Sequence, residues 1–193
     1  MHTTSVSLLE RLARSGEDAD WQKLIIIYRP FIEKVVLGYP SIASHADDVA
    51  QEVMLVLMRE LPVFQRQRTG SFRAWLRGVT VNQLRIVMRK NRLERTAGAL
   101  DLEQQVEALA DPLSAAAKKW DEEHDRAVLQ QVIEVVKPTV NQRTWQAFER
   151  YALADEAPAQ VAAELEMSLN SVLLAKSRIL RRLRNEARGL VDA

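Results

Sequence analysis

No cysteine occurs among the 193 residues, so disulfides and thiolate metal sites are excluded and a reducing cytoplasm is the expected compartment. Histidine is nearly as scarce. His2, His45 and His124 are scattered without ligand spacing, so neither a metal nor a cofactor is expected. Gly-rich phosphate loops and nucleophile motifs are also missing, and an enzyme is not expected. Glycine and proline number only six each and strand-like alternation is lacking, which argues against β architecture. The longest apolar runs, such as LIII and VMLVLM, are too short to span a bilayer. The N-terminus has no basic start followed by a long apolar run, so it is not read as a signal peptide. The expectation is a soluble cytoplasmic protein without membrane insertion.

What is present is charge, unevenly distributed. The formal net charge is only +1, yet nine Lys/Arg and one acid lie between Arg66 and Arg95. Eight acids and two lysines follow before Arg126, and Lys176–Arg188 then holds six basic residues and one acid. Two basic blocks separated by an acidic one point to two contacts with a polyanion. A solvated arginine face would account for either block alone.

Apolar residues recur at three and four, so the pattern predicts helix almost throughout. Helices are expected from Ser7 to Arg14, from Trp21 to Leu37 with a kink or division at Pro30, and from about Phe72 to Arg92. Others are expected near 122–137, 140–153, 158–166 and 169–187. Ser44 with Asp47, and Thr139 with Gln142, have capping-box spacing, and Pro158 suits a first helical turn. Residues 96–121 are rich in alanine and acids and read as a linker, in part helical. The chain is thus expected to be all-α, with two small helical domains at about 1–95 and 122–193.

Three segments carry the functional reading. In DDVAQEVMLVLMREL, a helical wheel gathers Asp47, Asp48, Gln51, Glu52, Leu55 and Met58 into an apolar strip with an acidic border. Asp47 and Asp48 would complement the helix dipole, but that leaves Glu52, Leu55 and Met58 without a role. In FRAWLRGVTVNQLRIVMRKNR, the residues Asn82, Arg85, Arg89 and Arg92 share a face suited to phosphates and an unpaired base edge. Phe72 and Trp75 are able to stack bases, although their helical spacing favours core packing. The segment APAQVAAELEMSLNSVLLAKSRILRRLR has a helix-turn-helix layout. Its second helix is expected to bury Val172, Leu173, Ile179, Leu180 and Leu183. It turns Ser168, Asn170, Ser171 and Leu174 toward base edges in the major groove, with Leu174 suited to thymine methyls, while the later Arg178 and Arg181 reach phosphates.

In this order the three segments resemble the extracytoplasmic-function (ECF) group of sigma factors in the sigma-70 family, over about residues 8–188. The resemblance implies that 1–95 is a sigma region 2 bundle, binding the clamp of core RNA polymerase and melting the promoter −10 element. It likewise implies that 122–193 is a region 4 helix-turn-helix, docking on the polymerase flap and reading the −35 element, with 96–121 between them. It gives the strip from Asp47 to Met58 to the clamp, and the −10 DNA to Arg77, Asn82, Arg85, Arg89 and Arg92. Asn82 stands where the family places a residue that captures a flipped base. Promoter DNA, core polymerase and an anti-sigma factor are the implied partners. One departure stands out: Leu173, Leu174 and Ala175 follow Ser171-Val172 where basic residues are common, which points to more apolar −35 contacts. A second reading remains open, a stand-alone helix-turn-helix regulator binding duplex DNA as a dimer, which gives the acidic strip no role.

Overall fold

The computed structural model describes residues 7–14, 16–64, 71–91 and 99–191. They form α1 (Leu8–Arg14), α2 (Asp18–Leu37), α3 (Ala46–Glu60), α4 (Ser71–Asn91) and α5 (Ala99–Ala110). These are followed by α6 (Ala115–Val136), α7 (Gln142–Phe148), α8 (Pro158–Glu164) and α9 (Leu169–Ala187). Among the described residues there is no strand, only an isolated bridge between Arg188 and Val191. The all-α class read from the sequence is the class observed.

Local chemistry sets the helix ends. Ser7 Oγ accepts from the Glu10 N–H at 3.3 Å and Glu10 Oε2 accepts from the Ser7 N–H at 2.9 Å, a reciprocal capping box for α1. The two boxes expected further on do not form. Pro40–His45 winds as a 3₁₀ helix directly into α3, leaving Ser44 inside helical backbone rather than at its edge. Lys137–Thr139 likewise extends α6 as a 3₁₀ turn, and Thr139 Oγ1 donates back to the Val136 carbonyl. The start of α7 falls instead to Asn141, whose side chain accepts from the Arg143 N–H at 3.0 Å. After Phe148 the chain continues as a π turn over Glu149–Leu153.

Pro30 does not divide α2, which runs unbroken from Asp18 to Leu37. A mid-helix proline costs roughly 3 kcal/mol. Tyr28, Phe31 and Ile32, on both sides of it, are fully or almost fully buried and hold the helix together by packing. One face of α2 meets α3 and another meets α6. Phe31 sets its ring edge against Trp120 at 4.8 Å between centroids, and Tyr28 stacks obliquely on His124 at 5.7 Å.

The segment 96–121, read as a linker, holds α5 and the start of α6. Helix α6 begins at Ala115 rather than near 122, with Ser114 Oγ accepting from the Ala117 N–H at 2.9 Å. Leu102, Val106 and Leu109, spaced i, i+4, i+7, are buried, and α5 lies against both α4 and α6. Helix α6 crosses the expected boundary at 121/122: its first half packs on α2, and the helix also contacts α9. Burying Val128 and Val132 along it stabilises the fold by about 1.5–3 kcal/mol per side chain. A smaller apolar cluster of Ala147, Val161, Ala162, Val172 and Ala175 joins α7, α8 and α9.

Candidate nucleic-acid and partner interfaces

Helix α3 is two-faced. Ala46, Val49, Ala50, Val53, Met54 and Leu57 are buried, while Asp47, Asp48, Gln51, Glu52, Leu55 and Met58 are all exposed. Leu55 is 50% exposed and Met58 42%, so an apolar strip lies open beside the acids. Arg29 pairs with Asp47 and is itself held by Glu33 Oε1 at 2.8 Å. The Asp48 carboxylate lies 4.0 Å from His45 Nδ1. The like charges of Asp48 and Glu52, one turn apart, cost the isolated helix a few tenths of a kcal/mol. An opposing basic surface would offset that repulsion.

Helix α4 divides its polar residues between surface and seam. Asn82 and Arg89 are exposed. Arg85 donates from Nε and Nη2 to the two Glu107 oxygens of α5, at 3.0 and 2.8 Å, and from Nη1 to Asn82 Oδ1 at 3.5 Å. That two-point pairing holds the Glu107 carboxyl below the usual carboxylate range. Arg77, expected among the DNA contacts, lies elsewhere. It is buried, and its Nη1 donates to Asp121 Oδ1 of α6 at 2.8 Å. Arg73 reinforces the same seam, reaching Asp121 at 3.2 Å and Asp125 at 2.8 Å. Neither role is visible in a wheel drawn for one helix, because the partners come from α6. Arg92 lies outside the described residues. Phe72 is buried and Trp75 partly so, with Phe64 4.9 Å from the Trp75 ring, so both aromatics are core groups.

The segment read from the sequence as a helix-turn-helix comprises α8, the turn Leu165–Ser168 and α9. Glu166 takes a positive φ of 50° to turn the corner, and the Met167 N–H donates to the Ala162 carbonyl at 2.9 Å. Arg150, just after α7, donates to Glu156 and Glu164 and so ties α8 in place. Ser168 caps α9: its Oγ accepts from the Ser171 N–H at 3.1 Å and lies 2.7 Å from Ser171 Oγ. Both hydroxyls are thus engaged with each other at the helix start. Asn170 and Leu174 are exposed, Leu174 by 38%. Val172 and Ile179 are buried as expected, but Leu173 is 42% exposed and does not pack inward. The core beneath α9 is built on Val172, Ala175 and Ile179, and Leu173 falls just off that arc.

Arg178 and Arg181 lie one and two turns beyond Leu174 on the same exposed face of α9. They line a polar hollow of about 440 Å³ with Arg182, Asn185, Thr139 and Asn141, between α9 and the start of α7. Arg182 donates to the Thr139 carbonyl at 3.3 Å. Three guanidinium groups around one hollow suit phosphate oxygens better than base edges. Lys176, not singled out from the sequence, sits 4.5 Å over the Tyr151 ring. Among the described residues no group of His, Asp or Glu could hold a metal ion, and no helix is long and apolar enough to cross a membrane.

Residues 24–94, spanning most of α2 and all of α3 and α4, match the family model described as Sigma-70 region 2. The match supports an RNA polymerase sigma factor of the sigma-70 family. No curated protein and no solved structure matches the chain.

Proposed function

We propose that this chain is a sigma factor of the ECF type, a non-catalytic subunit that directs core RNA polymerase to particular promoters and starts DNA-templated transcription. The observation that carries the proposal is the region 2 match, within which α3 keeps its acidic and apolar strip open to solvent. In this reading Asp47, Asp48, Gln51, Glu52, Leu55 and Met58 meet the polymerase clamp. Carboxylates give charge complementarity there, and Leu55 and Met58 supply apolar area.

Helix α4 then serves the −10 element. Asn82 offers an amide to an unstacked base, while Arg85 and Arg89 hold the flanking phosphates. Stacking is worth about 1.4 kcal/mol per step and extruding a base costs a few kcal/mol, so a handful of such contacts matters to melting. Helix α9 serves the −35 element, with Asn170 and Leu174 toward the groove and Arg178 and Arg181 on phosphates. The functional division places region 2 at 1–95 and region 4, which docks on the flap, at 122–193. Residues 96–121 lie between them, and α6 serves both parts as a strut. Arg77 acts inside, holding α6 through Asp121. The setting is the cytoplasm, and an anti-sigma factor is a further partner in this reading.

Run-off transcription with core polymerase over a randomised promoter library tests the proposal. The expected result is transcripts from a restricted subset of templates that depend on the added chain. A chain that leaves the polymerase template choice unchanged would overturn it.

A further inference from the structure

From the pairing between α5 and α4 we infer that the chain carries its own competitor for nucleic acid: Glu107 occupies the Arg85 fork that a phosphate would otherwise take. The inference rests on the proposed role of α4 in binding DNA. Arg85 presents its Nε and Nη2 edge to the two Glu107 oxygens at 3.0 and 2.8 Å, the bidentate arrangement that guanidinium also makes with phosphate. Its remaining Nη1 reaches Asn82 Oδ1, so the proposed base-capturing amide belongs to the same cluster. A carboxylate on this fork stands in for a phosphate in both charge and geometry.

The location of the pair makes it displaceable. The Arg85 side chain is 38% exposed and that of Glu107 57%, so solvent and ions screen their attraction. The pairs deeper in the seam differ. The side chains of Arg77 and Arg73 are only 8% and 17% exposed, and they hold α6 through Asp121 and Asp125. The inner pairs fix the helices, and the outer pair is free to exchange. Leu102, Val106 and Leu109 keep α5 seated, so Glu107 remains near α4 and its effective concentration stays high. Incoming DNA must displace Glu107 from the fork. While the carboxylate stays close, Arg85 delivers no net charge to the strand.

The test uses the full chain, a labelled mixed-sequence single-stranded DNA and fluorescence anisotropy over a range of salt. Glu107→Gln is compared with Glu122→Gln, an exposed acid of α6 that has the same charge. Glu107→Gln is expected to tighten binding by about two- to fivefold, the range of an exposed ion pair. It should also steepen the log–log salt slope by about 0.7, because one more phosphate is then neutralised. Glu122→Gln should change the slope little, and in an Arg85→Gln background Glu107→Gln should have no more effect than Glu122→Gln. Equal effects of the two acid substitutions in the native background would overturn the inference. So would a chain that directs run-off transcription while neither it nor Glu107→Gln binds the strand. If run-off transcription fails as well, the functional reading falls, and this inference with it.

Discussion

Asn82 and His124 illustrate how differently single residues serve the fold. Asn82 is exposed, and its only described partner is a 3.5 Å contact from Arg85, so removing its amide should leave stability almost unchanged. Asn82→Ala is expected to slow open-complex formation by roughly tenfold, as one or two lost hydrogen bonds to a flipped base would. Initial docking of the holoenzyme on closed promoter DNA should hardly change, and permanganate footprinting beside a gel-shift assay separates the steps. Equal loss at both would remove Asn82 from base capture. His124 is fully buried between Tyr28 and Phe31, with Nδ1 2.9 Å from Asp125 Oδ1. Burial pushes its imidazole below the ordinary value of 6.5, against the pull of Asp125. A depressed histidine gives stability that is fully present above the unfolded-state value and is lost as pH falls through the folded one. The melting temperature should therefore fall as the solution is acidified below about pH 6.5. His124→Phe, which keeps the aromatic packing, should flatten that dependence, and an unchanged profile would show that the acid sensitivity arises elsewhere.

At the scale of helices, α9 separates its tasks along its length. Its first turn is capped by Ser168, Leu174 stands exposed beyond it, and Arg178 and Arg181 flank the hollow against α7. Arg178→Ala is expected to lower the salt slope of duplex-dependent holoenzyme binding by about 0.9, the value for one phosphate contact on B-DNA. A slope identical to that of the native chain would take Arg178 off the phosphate. The helices themselves were largely legible in the sequence. Periodicity located α1, α2, α4, α8 and α9, since each alternates a buried stripe with a polar face. It also separated the open face of α3 from its buried one. Helix starts were less legible at Ser44 and Thr139, because a 3₁₀ turn continued the backbone through the expected cap. Helix α5 was obscured for another reason: the stripe of Leu102, Val106 and Leu109 is narrow and embedded in acids. The partners of Arg77 and Arg85 were not legible at all, since ion pairs between helices distant in sequence leave no periodic trace.

The molecule as a whole is tied across its length by α6 and by Arg11. Arg11 donates to Asp20 of α2 at 2.9 Å and to Glu186 of α9 at 3.0 Å, joining the first and last helices. One apolar cluster runs from Leu8 through Trp120 and Val132 to Leu190. Heating should therefore produce a single cooperative transition, coincident by circular dichroism and tryptophan fluorescence. Two separated transitions would mean that the halves fold independently. Within this frame α3 remains an open surface with paired acids and apolar side chains, which core RNA polymerase covers in the proposed function. The most direct measurement is equilibrium binding of the purified full chain to core polymerase, with Asp48→Lys/Glu52→Lys as the comparison. Saturable binding is expected, weakening by about a hundredfold or more in the double variant as like charges are set against the basic partner surface, while circular dichroism and melting temperature stay close to those of the native chain. Equal affinity of the two proteins, or no association of the native chain with polymerase, would contradict that role of α3.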